Sequence, residues 1–249
     1  MTARDWDAAT YDRVADPMTR WGAVVLDRLP LRGDERVLDA GCGTGRVTEL
    51  LAERLPDGRT VALDASAAML AEARLRLARF GDRVEFVEAD LGRPLPLAEP
   101  VDAILSTATF HWVPDHDALF ANLSAVLRPG GRLVAQCGGA GNIGNVRRVL
   151  EGLGDGWLGH VRFETPEATA ERLRRSGFEE IETWLAEEPT RLEPGERLVV
   201  YLETVVLRHV VDRMPPAERR PFAIRVAERL PEATIDYVRL NIMARRKRS

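Results

Sequence analysis

Residues 37–66 read VLDAGCGTGRVTELLAERLPDGRTVALDAS, with small and acidic residues in an order that marks one kind of architecture. A short apolar run ends at Asp39 and enters a turn in which Gly41, Gly43 and Gly45 alternate with other residues. Val47, Leu50, Leu51 and Leu55 then recur at helical spacing, and a second apolar run, TVALDA (60–65), carries Asp64 near its end. Strand, tight turn, helix and strand in this compass make a βαβ unit. Glycine in such a turn permits positive φ and lets a ligand approach the backbone with no Cβ in the way. The helix that follows offers its first N–H groups to polar atoms of that ligand.

The pattern continues outward. RVLDAG (36–41), TVALDA (60–65), RVEFVEAD (83–90), VDAILST (101–107) and RLVAQC (132–137) are strand candidates. Met69, Leu70, Ala73, Leu77 and Phe80 mark one intervening helix, and Leu119, Phe120, Leu123, Val126 and Leu127 another, with Asp115 as its N-cap. This alternation is that of a doubly wound α/β protein around a parallel sheet. Upstream, WDAATYDRVADPMTRWGAVVLDRLP (6–30) reads as two short helices split near Pro17. Downstream, Thr165 caps a helix that begins at Pro166 and stops at Gly177. EEIETWLAEE and TIDYVRLNIMARR form two closing strands, with two helices, 194–213 and 215–230, between them. LVVYLETVVLRHVV is apolar around most of its circumference, which suits a core helix, a lid over an apolar pocket, or a face in a homodimer.

The whole chain, 1–249, is expected to be one domain, with a helical lid segment at 1–30 and a helical insertion at 194–231. A net charge of −4 offers no basic surface for nucleic acid, and the ARRKRS ending reads as a solvated tail. No apolar run reaches the length of a membrane span and no signal peptide opens the chain, so a cytoplasmic location is expected. Cys42 and Cys137 lie outside any metal-spaced cluster and read as reduced structural thiols; no metal is expected. Lys247 is the sole lysine in an arginine-rich chain, so a single arginine is weak reason to infer an anion site.

The acids narrow the cofactor. A dinucleotide fingerprint wants G-x-G-x-x-G, whereas this turn reads D-x-G-x-G-x-G, with Arg46 where the third spacing would place glycine. Asp64 stands where a ribose diol would be gripped, a feature common to nicotinamide and methyl-donor sites. Asp90 in VEADL suits an adenine amino group, or a turn that ends its strand.

Taken in order, VLDAGCGTG, ALDAS, VEADL and LRPGGRLV resemble the motifs of class I S-adenosylmethionine-dependent methyltransferases over about residues 35–137. The resemblance implies a Rossmann-like, seven-stranded, mostly parallel sheet whose last strand is antiparallel, and S-adenosylmethionine as cofactor. It implies Gly41, Gly43 and Gly45 around the methionine moiety, Asp64 and Ala65 at the ribose, and Met69, Asp90 and Leu91 at the adenine. Asp39 would organise the turn and reach the ammonium through water, and Thr107 ends the fourth strand at the same site. A narrower likeness, carried by WDAATYDRVAD (6–16) and FHWVPDH (110–116), is to trans-aconitate methyltransferases, with His111 where those enzymes commonly have glutamine.

Such enzymes hold an acceptor atom in line with a sulfonium methyl. An ionised carboxylate needs no base; a phenol, alcohol or carbon acid does, and His111 is the candidate to supply one unless the loop backbone occupies it. His116, His160 and His209 look less suited, at a helix start, in a glycine-rich loop and on the apolar helix. Tyr11, Trp21, Trp112 and Gly138 are candidates for the acceptor pocket, although aromatics there also suit the core; Phe110 belongs with them, and Arg20 or Arg46 could pair with a substrate carboxylate. The expected acceptor is a small carboxylate, or a natural-product or quinone-like hydroxyl or carbon. A nicotinamide oxidoreductase and a cofactor-binding module without turnover are the competing classes.

Overall fold

Arg36–Ala40 forms strand β1, almost wholly buried, as a strand packed on both faces must be. In the computed structural model, residues 16–153 and 161–248 are described. Parallel pairing on β1 brings β2 (Arg59–Asp64) to one side and β4 (Val101–Thr107) to the other. β3 (Val84–Glu88) extends the sheet beyond β2, and β5 (Leu127–Gly138) extends it beyond β4. The closing strands are β6 (Phe178–Glu187) and β9 (Val238–Arg246), and the order is β3-β2-β1-β4-β5-β9-β6. β9 is antiparallel to both neighbours. Strand order reverses at β1, so the crevice lies at the carboxyl ends of β1 and β4.

Helix α1 (Asp16–Asp27) packs Val25 and Leu26 onto β1, β4 and β5, so the second half of the expected lid segment is a core layer. Residues 1–15, including Tyr11 and the first of the two expected helices, lie outside the described residues, as does His160. Helix α2 (Arg46–Glu53) follows the glycine turn, and α3 (Ala67–Leu77) is capped by Ser66, whose Oγ accepts from Met69 N at 3.3 Å. Asp115 caps α4 (His116–Val126) through the N–H groups of Asp117 and Ala118. α5 (Gly144–Gly152) comes next, then α6 (Pro166–Arg175), capped by Thr165 and ended at Gly177 with φ +85°.

Several expected boundaries move, and the fifth strand begins at Leu127, a residue expected on the preceding helix. The third strand stops at Glu88 because Asp90 Oδ1 takes the Gly92 N–H at 2.8 Å and turns the chain. TIDYVRLNIMARR divides into β8 (Thr234–Ile235), paired with β7 (Thr190–Arg191), and β9, because Tyr237 N–H bonds back to the Ile235 carbonyl. The apolar stretch from 196 is α7 (Glu196–Tyr201), a π turn at Leu202–Val206 and α8 (Arg208–Val211), followed by α9 (Pro216–Arg229). Its all-round apolarity has a core explanation: Leu198, Leu202 and Val210 pack with Val146 and Leu150 of α5 and Phe222 and Val226 of α9. Among the described residues no helix is long and apolar enough to cross a membrane.

Candidate active site

The three turn glycines have different physical reasons. Gly41, Gly43 and Gly45 all take positive φ, of +89°, +54° and +83°. A Cβ on Gly41 would fall 2.2 Å from Thr109 Oγ1, so this glycine admits a neighbouring loop. A Cβ on Gly43 would meet nothing within 4 Å, leaving an open cradle beside the backbone. Gly45 lets α2 sit close to Ala73 and Leu77 of α3.

Two acids face this turn. Asp64 accepts the Gly43 N–H on Oδ2 and the Ser66 N–H on Oδ1, each at 2.9 Å, and each oxygen retains a lone pair. Burial raises its pKa, opposed by the backbone N–H groups of Ser66, Gly43 and Ala65. Asp39 is deeper, 1% exposed: Oδ2 takes the Thr48 hydroxyl at 2.7 Å, while Oδ1 has no partner among the described residues. Burial pushes Asp39 up to about 7, the Thr48 bond opposing it and Asp64 adding to it. An orphaned buried carboxylate oxygen beside an open backbone cradle suits a ligand carrying positive charge, so the turn fits a sulfonium and ammonium better than a pyrophosphate.

The other expected cofactor residues flank this centre. Ala65 follows Asp64 half-buried; Met69 and Leu91 are buried at the ends of adjoining elements. Asp90 is exposed and makes the Gly92 turn, the bland alternative for this residue. Thr107 is half-buried, and its carbonyl accepts the Thr109 hydroxyl at 2.9 Å. Thr109, which also reaches the Gly41 carbonyl at 3.2 Å, was not legible as part of the turn.

Beside the crevice lies a small cavity of about 60 Å³, below the usual range of small-molecule sites. His111, Trp112, Phe163, His209, Tyr237 and Arg239 line it together with apolar side chains, Val205 and Val206 among them. No carboxylate is among its described lining residues. Ala108 and Ile143, two non-glycine residues at positive φ (+55° and +49°), stand on its wall.

His111 is buried against Phe163 and Trp112, with ring centroids 5.9 and 4.8 Å away. Its Nδ1 accepts the Gly138 N–H at 3.3 Å, so the neutral ring carries its proton on Nε2. Burial, reinforced by Arg239, His116 and His209, pushes its pKa well below 6.5. The loop backbone thus occupies Nδ1, the alternative the sequence left open beside a general base.

Several pocket candidates also move. Trp21 lies behind the cavity wall, edge-on to Tyr237 at 5.1 Å and with the Arg239 guanidinium 4.9 Å from its ring centroid. Gly138 is buried; a Cβ there would sit 2.7 Å from Asn142 Nδ2 and from Phe163, so its glycine serves packing. Phe110 is core, against Phe120. Arg20 is exposed and Arg46 reaches Thr19, whereas the arginine in the cavity wall is Arg239, 3% exposed on β9. His209, set aside for its apolar helix, lines the cavity, while His116 Nε2 is held on the Phe110 carbonyl at 2.9 Å.

Residues 37–131 match a family model described as a methyltransferase domain. The chain is 33% identical over 270 aligned residues to a trans-aconitate 2-methyltransferase of Methylobacterium nodulans, covering 98% of this chain and 99% of that protein. It is 33% identical to a trans-aconitate 2-methyltransferase of Methylobacterium radiotolerans over 88% of this chain and 86% of the other. Among solved structures, a Haemonchus contortus phosphoethanolamine N-methyltransferase 2, in complex with phosphomonomethylethanolamine and S-adenosylhomocysteine, superposes with a TM-score of 0.66 at 18% identity. That match covers 97% of this chain and 57% of the other, and it bears on the fold. The D-x-G-x-G-x-G turn, the strand order with its antiparallel β9 and the full-length relatives agree: the chain belongs to the class I S-adenosylmethionine-dependent methyltransferases.

Proposed function

We propose that this methyltransferase acts on a carboxylate oxygen of a small organic acid of the trans-aconitate type. One observation carries the reading: the cavity beside the glycine turn presents a buried guanidinium, Arg239, and a neutral histidine, His111, that donates rather than accepts. Such a wall is matched to an anion whose reacting oxygen needs no deprotonation. The full-length relatives carry the name trans-aconitate 2-methyltransferase, which supports the same acceptor class.

S-adenosylmethionine supplies an electrophilic methyl group when bound. Gly43 would admit its methionine end, with Gly41 and Gly45 shaping the turn around it, Asp39 would face its ammonium, and Asp64 would accept from the ribose hydroxyls. Ala65, Met69, Asp90, Leu91 and Thr107 would border the ribose and adenine. Arg239 and the His111 Nε2–H would hold the acceptor, while Trp112, Phe163, Val205 and Val206 keep water from the anion. Esterification removes one negative charge, so Arg239 would hold the product less tightly than the substrate.

Calorimetry on protein saturated with S-adenosylhomocysteine tests this. Trans-aconitate should bind, and its neutral trimethyl ester should not. Binding of a phenol panel in place of acids would reject the reading.

A further inference from the structure

A row of polar side chains runs through the sheet behind the cavity, on strands whose other face is apolar. Gln136 of β5 and Asn241 of β9 are register partners, and Arg239 lies two residues before Asn241 on the same face. All three are buried. Asn241 Oδ1 accepts from Gln136 Nε2 at 2.8 Å and from Arg28 Nη1, while Asn241 Nδ2 donates to the Arg239 carbonyl at 3.2 Å. Gln136 Oε1 accepts from Arg239 Nε at 3.4 Å. Arg28, just past α1, is itself placed with its guanidinium 5.1 Å from the Trp184 ring centroid.

The row has a direction. An amide has one acceptor end and one donor end, and either orientation fits a symmetric surrounding. Here the Arg28 cation fixes Asn241 with its oxygen toward Gln136. That oxygen draws the Gln136 amino group, which leaves the Gln136 carbonyl as the only end that can face Arg239. A reversed Gln136 would set N–H against N–H at Arg239 and oxygen against oxygen at Asn241. Each donor therefore fixes the next acceptor, from Arg28 at the edge of α1 to Arg239 in the cavity wall.

Resting on the acceptor class proposed above, we propose that Gln136 is a positioning residue for substrate recognition: it holds the Arg239 guanidinium in the orientation that takes the acceptor's carboxylate. Asn241 and Arg28 set the polarity of Gln136. A long side chain held at Nε surrenders less freedom when it binds an anion, so losing the hold weakens acceptor binding and leaves the cofactor turn, on β1 and β2, alone.

The test compares Gln136→Met, which removes the acceptor at similar volume, with Gln136→Glu, which places a carboxylate on Arg239 in competition with substrate. With an acid acceptor, Gln136→Met should raise KM about 10-fold and Gln136→Glu on the order of 100-fold, the span expected for hydrogen bonds to a charged group. In both, kcat should stay within about twofold, as should the affinity for S-adenosylhomocysteine by calorimetry. If either variant fails to fold, Arg28→Met reads the far end of the row and should raise KM in the same direction, about threefold. Unchanged KM in folded variants of an enzyme that methylates acids would overturn the inference alone. Equal losses in acceptor KM and cofactor affinity would also overturn it, since that is the signature of a merely structural row. A wild-type protein that methylates no acid overturns the functional reading and this inference with it.

Discussion

Replacing Asp39 by asparagine should remove a pH dependence from the stability of the ligand-free protein. Asp39 is held at about 7 against an ordinary 3.8, chiefly by burial. Between those values the folded protein keeps a proton that the unfolded chain has released, so stability falls as pH rises through that window and levels off above it. At about 1.36 kcal/mol per pH unit, the full span has a ceiling of about 4 kcal/mol. Asparagine can still accept the Thr48 hydroxyl bond, but it puts an amide N–H₂ where Oδ1 lacks a partner. That costs about 1–3 kcal/mol at every pH, so the diagnostic is the slope and not the offset. Urea unfolding at pH 5, 6, 7 and 8 should show the wild type losing up to about 3 kcal/mol relative to Asp39→Asn between pH 5 and the plateau. Saturating S-adenosylhomocysteine, whose ammonium favours the charged acid, should flatten the difference. Parallel pH profiles for the two ligand-free proteins would mean that Asp39 does not titrate in this window.

Asp64→Ala should weaken S-adenosylhomocysteine binding by about 1.5–3 kcal/mol in calorimetry, as expected for losing bonds to a charged group. Gly41→Ala and Gly43→Ala should separate packing from ligand space. The first, which drives a Cβ into Thr109, should lower unfolding stability by about 2–4 kcal/mol. The second should cost only about 1–2 kcal/mol of stability, for its left-handed backbone, while abolishing measurable cofactor binding. His111→Phe keeps an aromatic ring near Phe163 and deletes the N–H; it should raise acceptor KM about 10-fold and leave the kcat profile between pH 6 and 8 unchanged. Loss of a near-neutral limb in that variant would restore the histidine to a base role.

The sheet was legible because its strands are short β-branched runs bounded by glycine and acids, and two of the helices because their caps are spelled locally: Asp115 and Thr165 each bond the turn they begin. The division of 234–246 was not legible, since a Tyr237 turn inside a continuous β-favouring run has no glycine or proline to mark it. The cofactor turn could be read from one stretch of chain. The cavity beside it could not, because its walls come from α1, the loop after β4, the π turn after α7, α8, β9 and loops far apart in sequence. Arg239 was hidden by the abundance of arginine, yet a signal existed: Arg239 and Asn241 alternate with Leu240, Ile242 and Ala244, a polar row at strand period in a run that closes the sheet. The tautomer of His111 depends on an N–H 27 residues away, which no local pattern encodes.

Methyl transfer to a carboxylate oxygen without a base is the activity proposed. Its most direct measurement is methyl-labelled S-adenosylmethionine offered to trans-aconitate, related di- and tricarboxylates, phenols and alcohols, with products identified by mass and by lability to alkali. A labelled, alkali-labile monomethyl ester from an acid, formed at a rate without a near-neutral pH limb, is the predicted result. Label transferred to a hydroxyl or carbon, with none on any acid, would contradict it.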